Sequence, residues 1–539
     1  MTTSHCPRAT APIEPHAADA HAPDASDIDA HALDVSDTDA HAFDVSDADA
    51  HAFDVRDADM HALDVSDADA HAFDVRDADT HALDASDADA QALDAHAADT
   101  HDADAHDVDV RHVDARDSVP HDAESRDDRW AELHRVPRGW RAALGRPVAA
   151  ALFRNAVRGL PLRVEFPDGR VLGSADDPTA PRMLIHDPGG FAGRIADSGL
   201  IGFGESYMAG EWSAPDLPGV LTVLAAHIDR LVPQSLQTLR TLCLPRLPRG
   251  MRATESGAAR NAAHHYDLSN DFFALWLDET MTYSAADFDR LDPPPVWGDL
   301  AAAQRRKIDR LLDAAGVGPG SSVLEIGTGW GELAIRAAAR GATVRSVTLS
   351  REQRRLARER VTAAGLADRM TIDLLDYRAV DGRYDAVVSV EMIEAVGYDY
   401  LPDYLTTLER VLAPGGRIAL QAITMPHDRM LASRRTYTWV HKYIFPGGFL
   451  PSEMLLSQRL SEHTGLRVVQ RQEIGPHYAH TLRLWRERFT AETERVAAQG
   501  FDRIFRRMWR LYLAYSEAGF RSGYLNVVQL VLGHPEVTR

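Results

Sequence analysis

From residue 322 onward, short apolar runs alternate with longer amphipathic stretches. SVLEIG, TVRSVTLS, MTIDLLD, YDAVVSVEM and RIALQAIT are separated by ELAIRAAARG, EQRRLARERVTAAG and YLTTLERVL. A run that is apolar at nearly every position suits a strand buried on both faces, and parallel strands need helical crossovers to return the chain. The alternation therefore predicts an α/β fold with a parallel sheet covered by helices on both sides. Residues 130–250 read differently. Runs such as LPLRVEF and MLIHD, Gly and Pro turns and the stretch LPGVLTVLAAHIDRLV predict a small α+β domain. Residues 233–260 read as a linker, placing the larger domain at 255–539.

The first 125 residues cannot belong to either core. From His21 a decapeptide recurs, HAFDVSDADA in its clearest form, with one large apolar residue and three Asp per unit. That apolar content cannot offset chain entropy while the acids repel one another, so a disordered leader is the expectation. Recurrent His and Asp leave a weak metal or proton buffer as the alternative. The charge is as uneven as the pattern. Of the formal −23 over 539 residues, residues 21–120 carry −25 and residues 121–539 carry +3. The body is thus slightly basic, and no recognition motif points to nucleic acid. Two cysteines, Cys6 and Cys243, exclude a disulfide scaffold and a multi-Cys metal site. His264-His265 lack a third ligand at a suitable spacing, so no metal is expected. There is no apolar run of membrane-spanning length and no basic start leading into an apolar core, so the cytoplasm is the expected compartment.

Chemistry enters at Val323–Gly331, VLEIGTGWG, which ends a strand and opens a helix. Gly327, Gly329 and Gly331 permit a tight turn and close backbone approach to a ligand at the helix N-terminus. The spacing G-x-G-x-G departs from the G-x-G-x-x-G of nicotinamide sites. Glu325 stands where methyltransferases place an acid facing the methionine part of S-adenosylmethionine. The next strand ends in Thr348-Leu349-Ser350 with Gln353, not in a ribose-binding acid, and Asp376 follows the third strand at the level of adenine. Methyl transfer is favoured over hydride transfer.

At this point the motifs resemble those of cyclopropane-fatty-acyl-phospholipid synthases. They are HYDLSNDFF (265–273), MTYS (281–284), Glu325–Gly331, Thr348–Gln353, SVEMIEAVG (389–397) and KYIFPGGFLP (442–451). The similarity runs from about residue 130 to 539. LIGFGESYMAGEW (200–212), AAAQRRKIDRLL (301–312), LQAITMPHDRML (420–431) and LYLAYSEAGFRSGYL (511–525) look like the tuberculostearic acid methyltransferase branch, which methylates an oleoyl chain of a phospholipid. The resemblance implies a class I, Rossmann-like methyltransferase domain behind a lipid-binding N-terminal domain, with Tyr283 and Ser284 lining the cofactor pocket. It also implies an enzyme peripheral to the anionic inner membrane surface. The product is a mid-chain methylene or methyl branch, or a cyclopropane as the rival. A fully reduced branch would require a separate reductase.

Methylating an alkene leaves a carbocation, so a base must remove a proton while water is kept out. In related synthases a bound bicarbonate is that base, held by Cys, Glu, His and Tyr. Carried over by motif, Glu394 matches the acid and Tyr478 the tyrosine, whereas Ala285 stands for the cysteine and Gln421 for the histidine. A Gln can donate a hydrogen bond and an Ala side chain cannot. A further family cysteine falls on Ser516. The plainer readings are a salt-bridged or capping acid for Glu394 and a core phenol for Tyr478. Residues 481–515 place Trp485, Phe489, Phe501, Phe505, Trp509, Tyr512 and Tyr515 at helical spacing. Arg503, Arg506, Arg507 and Arg510 occupy the other faces. This reads as a core stripe or as an acyl-channel wall with a basic collar toward headgroups.

Overall fold

The computed structural model describes residues 130–228 except 138, positions 248, 254 and 257, and residues 268–535. The repeat leader, His264-His265 and most of the expected linker lie outside the described residues.

The N-terminal part carries helix α1 (Trp140–Val157) and a four-stranded sheet in the order β2-β1-β3-β4. Its strands are β1 (Arg163–Glu165), β2 (Val171–Gly173), β3 (Arg182–Ile185) and β4 (Trp212–Ser213). Helices α2 (Pro188–Ser198), α3 (Leu200–Met208) and α4 (Leu217–Ala226) pack around it. The helix starts are written locally. Asp187 accepts hydrogen bonds from the amides of Gly189 and Gly190, and Asp216 from that of Gly219, in each case with a proline in the first turn.

The second sheet has seven strands in the order β10-β11-β9-β8-β5-β6-β7. Its parallel body is β5 (Ser322–Ile326), β6 (Thr343–Thr348), β7 (Met370–Leu374), β8 (Tyr384–Val390) and β9 (Leu412–Thr424). The helices around it include α5 (Leu300–Ala314), α6 (Glu332–Ala339), α7 (Arg351–Ala363) and α8 (Leu401–Val411). The chain winds outward through β5, β6 and β7, then returns to add β8 and β9 on the other side of β5. The strand order thus reverses between β5 and β8, where open α/β sheets bind ligands beyond the strand carboxyl ends. Two strands lie beyond the predicted alternation. Strand β11 (Asn526–Gly533) runs antiparallel between β9 and the exposed β10 (Arg467–Glu473).

Helices α9 (Gly475–Ala491) and α10 (Arg503–Arg521) carry the aromatic series. Trp485, Phe489, Phe505, Trp509 and Tyr512 are buried in one apolar cluster that continues through Trp212, Tyr207 and Met183 to Leu133. Burying each such side chain stabilises the fold by about 1.5–3 kcal/mol. One expectation is corrected here. Arg507 does not join a basic collar, because its guanidinium is buried and donates to the carbonyls of Tyr207 (2.7 Å) and Trp212 (3.0 Å). It also lies 4.2 Å from the Tyr207 ring centroid. Those carbonyls sit where α3 ends and β4 begins, and a guanidinium can satisfy both at once. Among the described residues, no helix is long and apolar enough to cross a membrane.

Candidate active site

The glycine turn follows β5 directly. Gly327, Gly329 and Gly331 all have positive φ, +98°, +52° and +91°. A Cβ on Gly327 would meet Met392 Cγ at 2.8 Å, so the turn is packed against the loop after β8. A Cβ on Gly329 would meet nothing within 4 Å, which leaves its backbone open to a ligand. Glu325 lies behind the turn, 2% exposed and hydrogen-bonded by Ser346, whose hydroxyl also contacts Thr328 (2.7 Å). Burial pushes its carboxyl up to about 8. No cationic side chain contributes to that shift, so a positively charged ligand in front of the turn would supply the partner that favours the ionised acid.

The other residues expected at the cofactor lie nearby, most with their side chains already engaged. Thr348 donates to the Gln353 carboxamide (3.0 Å), and Ser350 caps α7 through the Gln353 amide (3.2 Å). Asp376 pairs with Arg378 (2.7 Å) beyond β7. Tyr283 meets the Tyr512 hydroxyl at 2.6 Å and packs among Phe273, Trp276 and Trp485. Ser284 accepts from Lys307 (2.6 Å), a fully buried ammonium that burial pushes down to about 8.

Beyond β8 the structure departs from the expected anion site. The carboxylate facing Ala285, Gln421 and Tyr478 belongs to Glu391, not to Glu394. Its Oε1 accepts from the Ala285 amide (2.9 Å) and from Gln421 Nε2 (2.8 Å), and its Oε2 from the Tyr478 hydroxyl (3.0 Å). Gln529 on β11 donates to Gln421 Oε1 (2.9 Å), which leaves the Gln421 amide nitrogen to face the acid. Burial pushes the Glu391 carboxyl up, while Lys307 and these three donors pull the other way. Among the described residues, Glu391 is also one of three non-glycine residues with positive φ (+48°), a conformation that costs energy and concentrates at functional sites. Glu394 accepts from the Ile423 amide (2.5 Å), and its second oxygen is buried without a partner. Burial, and then the charge of Glu391, raise its pKa. The only sequence signal for Glu391 is a second acid three residues before Glu394.

Residues 253–530 match the family model for mycolic acid cyclopropane synthetase. The chain is 60% identical to tuberculostearic acid methyltransferase UfaA1 of Mycobacterium tuberculosis, across 75% of this chain and 95% of that protein. It is 32% identical to the cyclopropane-fatty-acyl-phospholipid synthase of Escherichia coli K12, across 63% and 85% of the two chains. The solved structure of the cyclopropane synthase MmaA2 from Mycobacterium tuberculosis is 31% identical, covering 51% of this chain and 97% of that one with a TM-score of 0.46. The chain belongs to the mycolic acid cyclopropane synthetase family, and it is an S-adenosylmethionine-dependent methyltransferase.

Proposed function

We propose that this enzyme methylates the double bond of an unsaturated, oleoyl-type acyl chain in a phospholipid, giving a mid-chain methylene branch. The observation that carries the reading is the 60% identity, along nearly the whole of that protein, to a tuberculostearic acid methyltransferase. The geometry agrees with it. An alkene needs no base to become a nucleophile, but it needs one afterwards, in a dry place. A half-buried carboxylate held by three hydrogen-bond donors, on a loop packed against the glycine turn, meets that need.

Bound at the turn, S-adenosylmethionine supplies an electrophilic methyl group. Glu325 and the backbone of Gly327–Gly331 would hold it, with Thr348, Ser350, Gln353 and Asp376 on the adenosine side and Tyr283-Ser284 on the face toward the substrate. The chemistry it would supply is methyl transfer to the alkene π pair, the C–S pair returning to sulfur. A hydride then shifts from the methylated carbon to its cationic neighbour, and loss of a methyl proton leaves the exocyclic double bond. Aromatic faces around Tyr283 favour the cation. Loss of the proton before the shift would close a cyclopropane instead. A separate reductase is needed for a saturated branch.

The lipid is met at a membrane surface. On α1, Leu144, Val148 and Leu152 are 72%, 56% and 47% exposed on one helical face, with Arg154 and Arg158 exposed nearby. Such a face suits insertion among anionic headgroups. The test uses vesicles of anionic dioleoyl phospholipid with methyl-labelled S-adenosylmethionine, followed by mass spectrometry of the fatty acid methyl esters. Label in a methylene-branched C19 ester is the expected result. A cyclopropane ester would move the product assignment, and label absent from lipid would overturn the reading.

A further inference from the structure

The geometry points to Glu391 as the proton acceptor, a carboxylate supplied by the chain itself where a bound anion would otherwise have to sit. This rests on the methyl-transfer reading above and adds to it the residue that ends the reaction. Three observations converge. The groups that meet the Glu391 carboxylate are donors or a cation: the Ala285 amide, the Gln421 amide nitrogen, the Tyr478 hydroxyl and buried Lys307. The Glu391 carboxylate already takes all three hydrogen bonds, with both oxygens used. The backbone that delivers it is held in the left-handed region at φ +48°, which a glutamate adopts only at a cost.

The rest of the shell fits the same assignment. Ala285 is fully buried and adds no side chain beyond its methyl group, which leaves room for the incoming carboxylate. Gln529 positions Gln421 without touching Glu391 itself. Glu394 does not share these donors: one of its oxygens accepts from the Ile423 amide and the other meets none of them. In the step itself, the C–H pair of the cationic product's methyl group becomes the new carbon–carbon bond. The proton passes to a Glu391 oxygen, and no oxidant or further reactant is required.

The experiment removes the side chain and offers the carboxylate back. Glu391→Gly suits the local backbone and opens a space lined by the same donors. The measurements are made on the full chain in carbon dioxide-free buffer, with the vesicles described above. Wild-type turnover should be indifferent to added sodium bicarbonate. Glu391→Gly should bind S-adenosylmethionine normally by calorimetry, lose at least a hundredfold in turnover, and recover at least tenfold with millimolar bicarbonate or formate. Glu391→Gln should stay inactive with either anion, because its amide fills the space. The assignment is overturned if wild type requires bicarbonate, if Glu391→Gly turns over at near wild-type rate without an anion, or if it binds the cofactor and is not rescued. Failure of wild type to label any lipid would instead count against the substrate reading. Carbon-13 bicarbonate titrated into both proteins then still separates the cases, with binding expected only to Glu391→Gly.

Discussion

Replacing Tyr478 with phenylalanine isolates one hydrogen bond. The ring is buried, packed at 4.6 Å on Phe520 and edge-on to Trp485 at 6.0 Å, so phenylalanine fills the same space. What disappears is the hydroxyl 3.0 Å from Glu391 Oε2. Two donors remain on Oε1, and Lys307 still faces the acid, so the carboxylate is weakened and not stranded. A hydrogen bond to a charged acceptor contributes about 1.5–3 kcal/mol, or roughly ten- to a hundredfold in the balance between ionised and neutral acid. The bond favours the ionised form, so its loss raises the pH at which Glu391 ionises. The other titratable groups facing the pair, Lys307, Glu394 and Tyr512, are unchanged by the substitution. The acid limb of the turnover profile should therefore move upward by roughly one to two pH units, with turnover recovering as pH rises and cofactor affinity intact. The assay is the initial rate of label transfer to saturating vesicles from about pH 5.5 to 9. An acid limb that stays in place, or a loss equal at every pH, would refute the role of this bond.

Gly329→Val adds a β-branched side chain at φ +52° in the open part of the turn, so S-adenosylmethionine affinity by calorimetry should drop at least about tenfold with the fold intact. Glu325 ionises near 4.5 when unfolded and near 8 when buried, so the stability held by its neutral form below about 4.5 is lost as pH rises toward 8. Glu325→Gln should flatten the decline in Tm of the cofactor-free enzyme between those pH values, and an unchanged slope would count against burial as the cause. Arg507→Ala leaves the Tyr207 and Trp212 carbonyls without their charged donor and should cost about 3 kcal/mol in urea unfolding, whereas a basic collar residue would cost almost nothing.

The parallel body of the large sheet was legible because its signal is local. A strand buried on both faces is apolar at most positions, and β5 and β8 announce this within a few residues, while β6 and β7 mix apolar with polar positions. The glycine turn was legible for the same reason, since turn and ligand approach are served by neighbouring residues. Strands β10 and β11 were not. The polar string RVVQRQE forms an exposed edge, and NVVQLVLG sits beside β9 only through pairing with a segment more than a hundred residues earlier. Arg507 was misread because spacing along a helix gives a side chain's direction, not what waits there, and two carbonyls from the small sheet region were waiting. Glu391 is the clearest case. Its partners Ala285, Gln421 and Tyr478 lie 106, 30 and 87 residues away in the chain. Sequence determined that two acids follow β8. Only tertiary structure decided which of them the donors hold, because a carboxylate's role depends on the charges and hydrogen bonds that folding gathers around it.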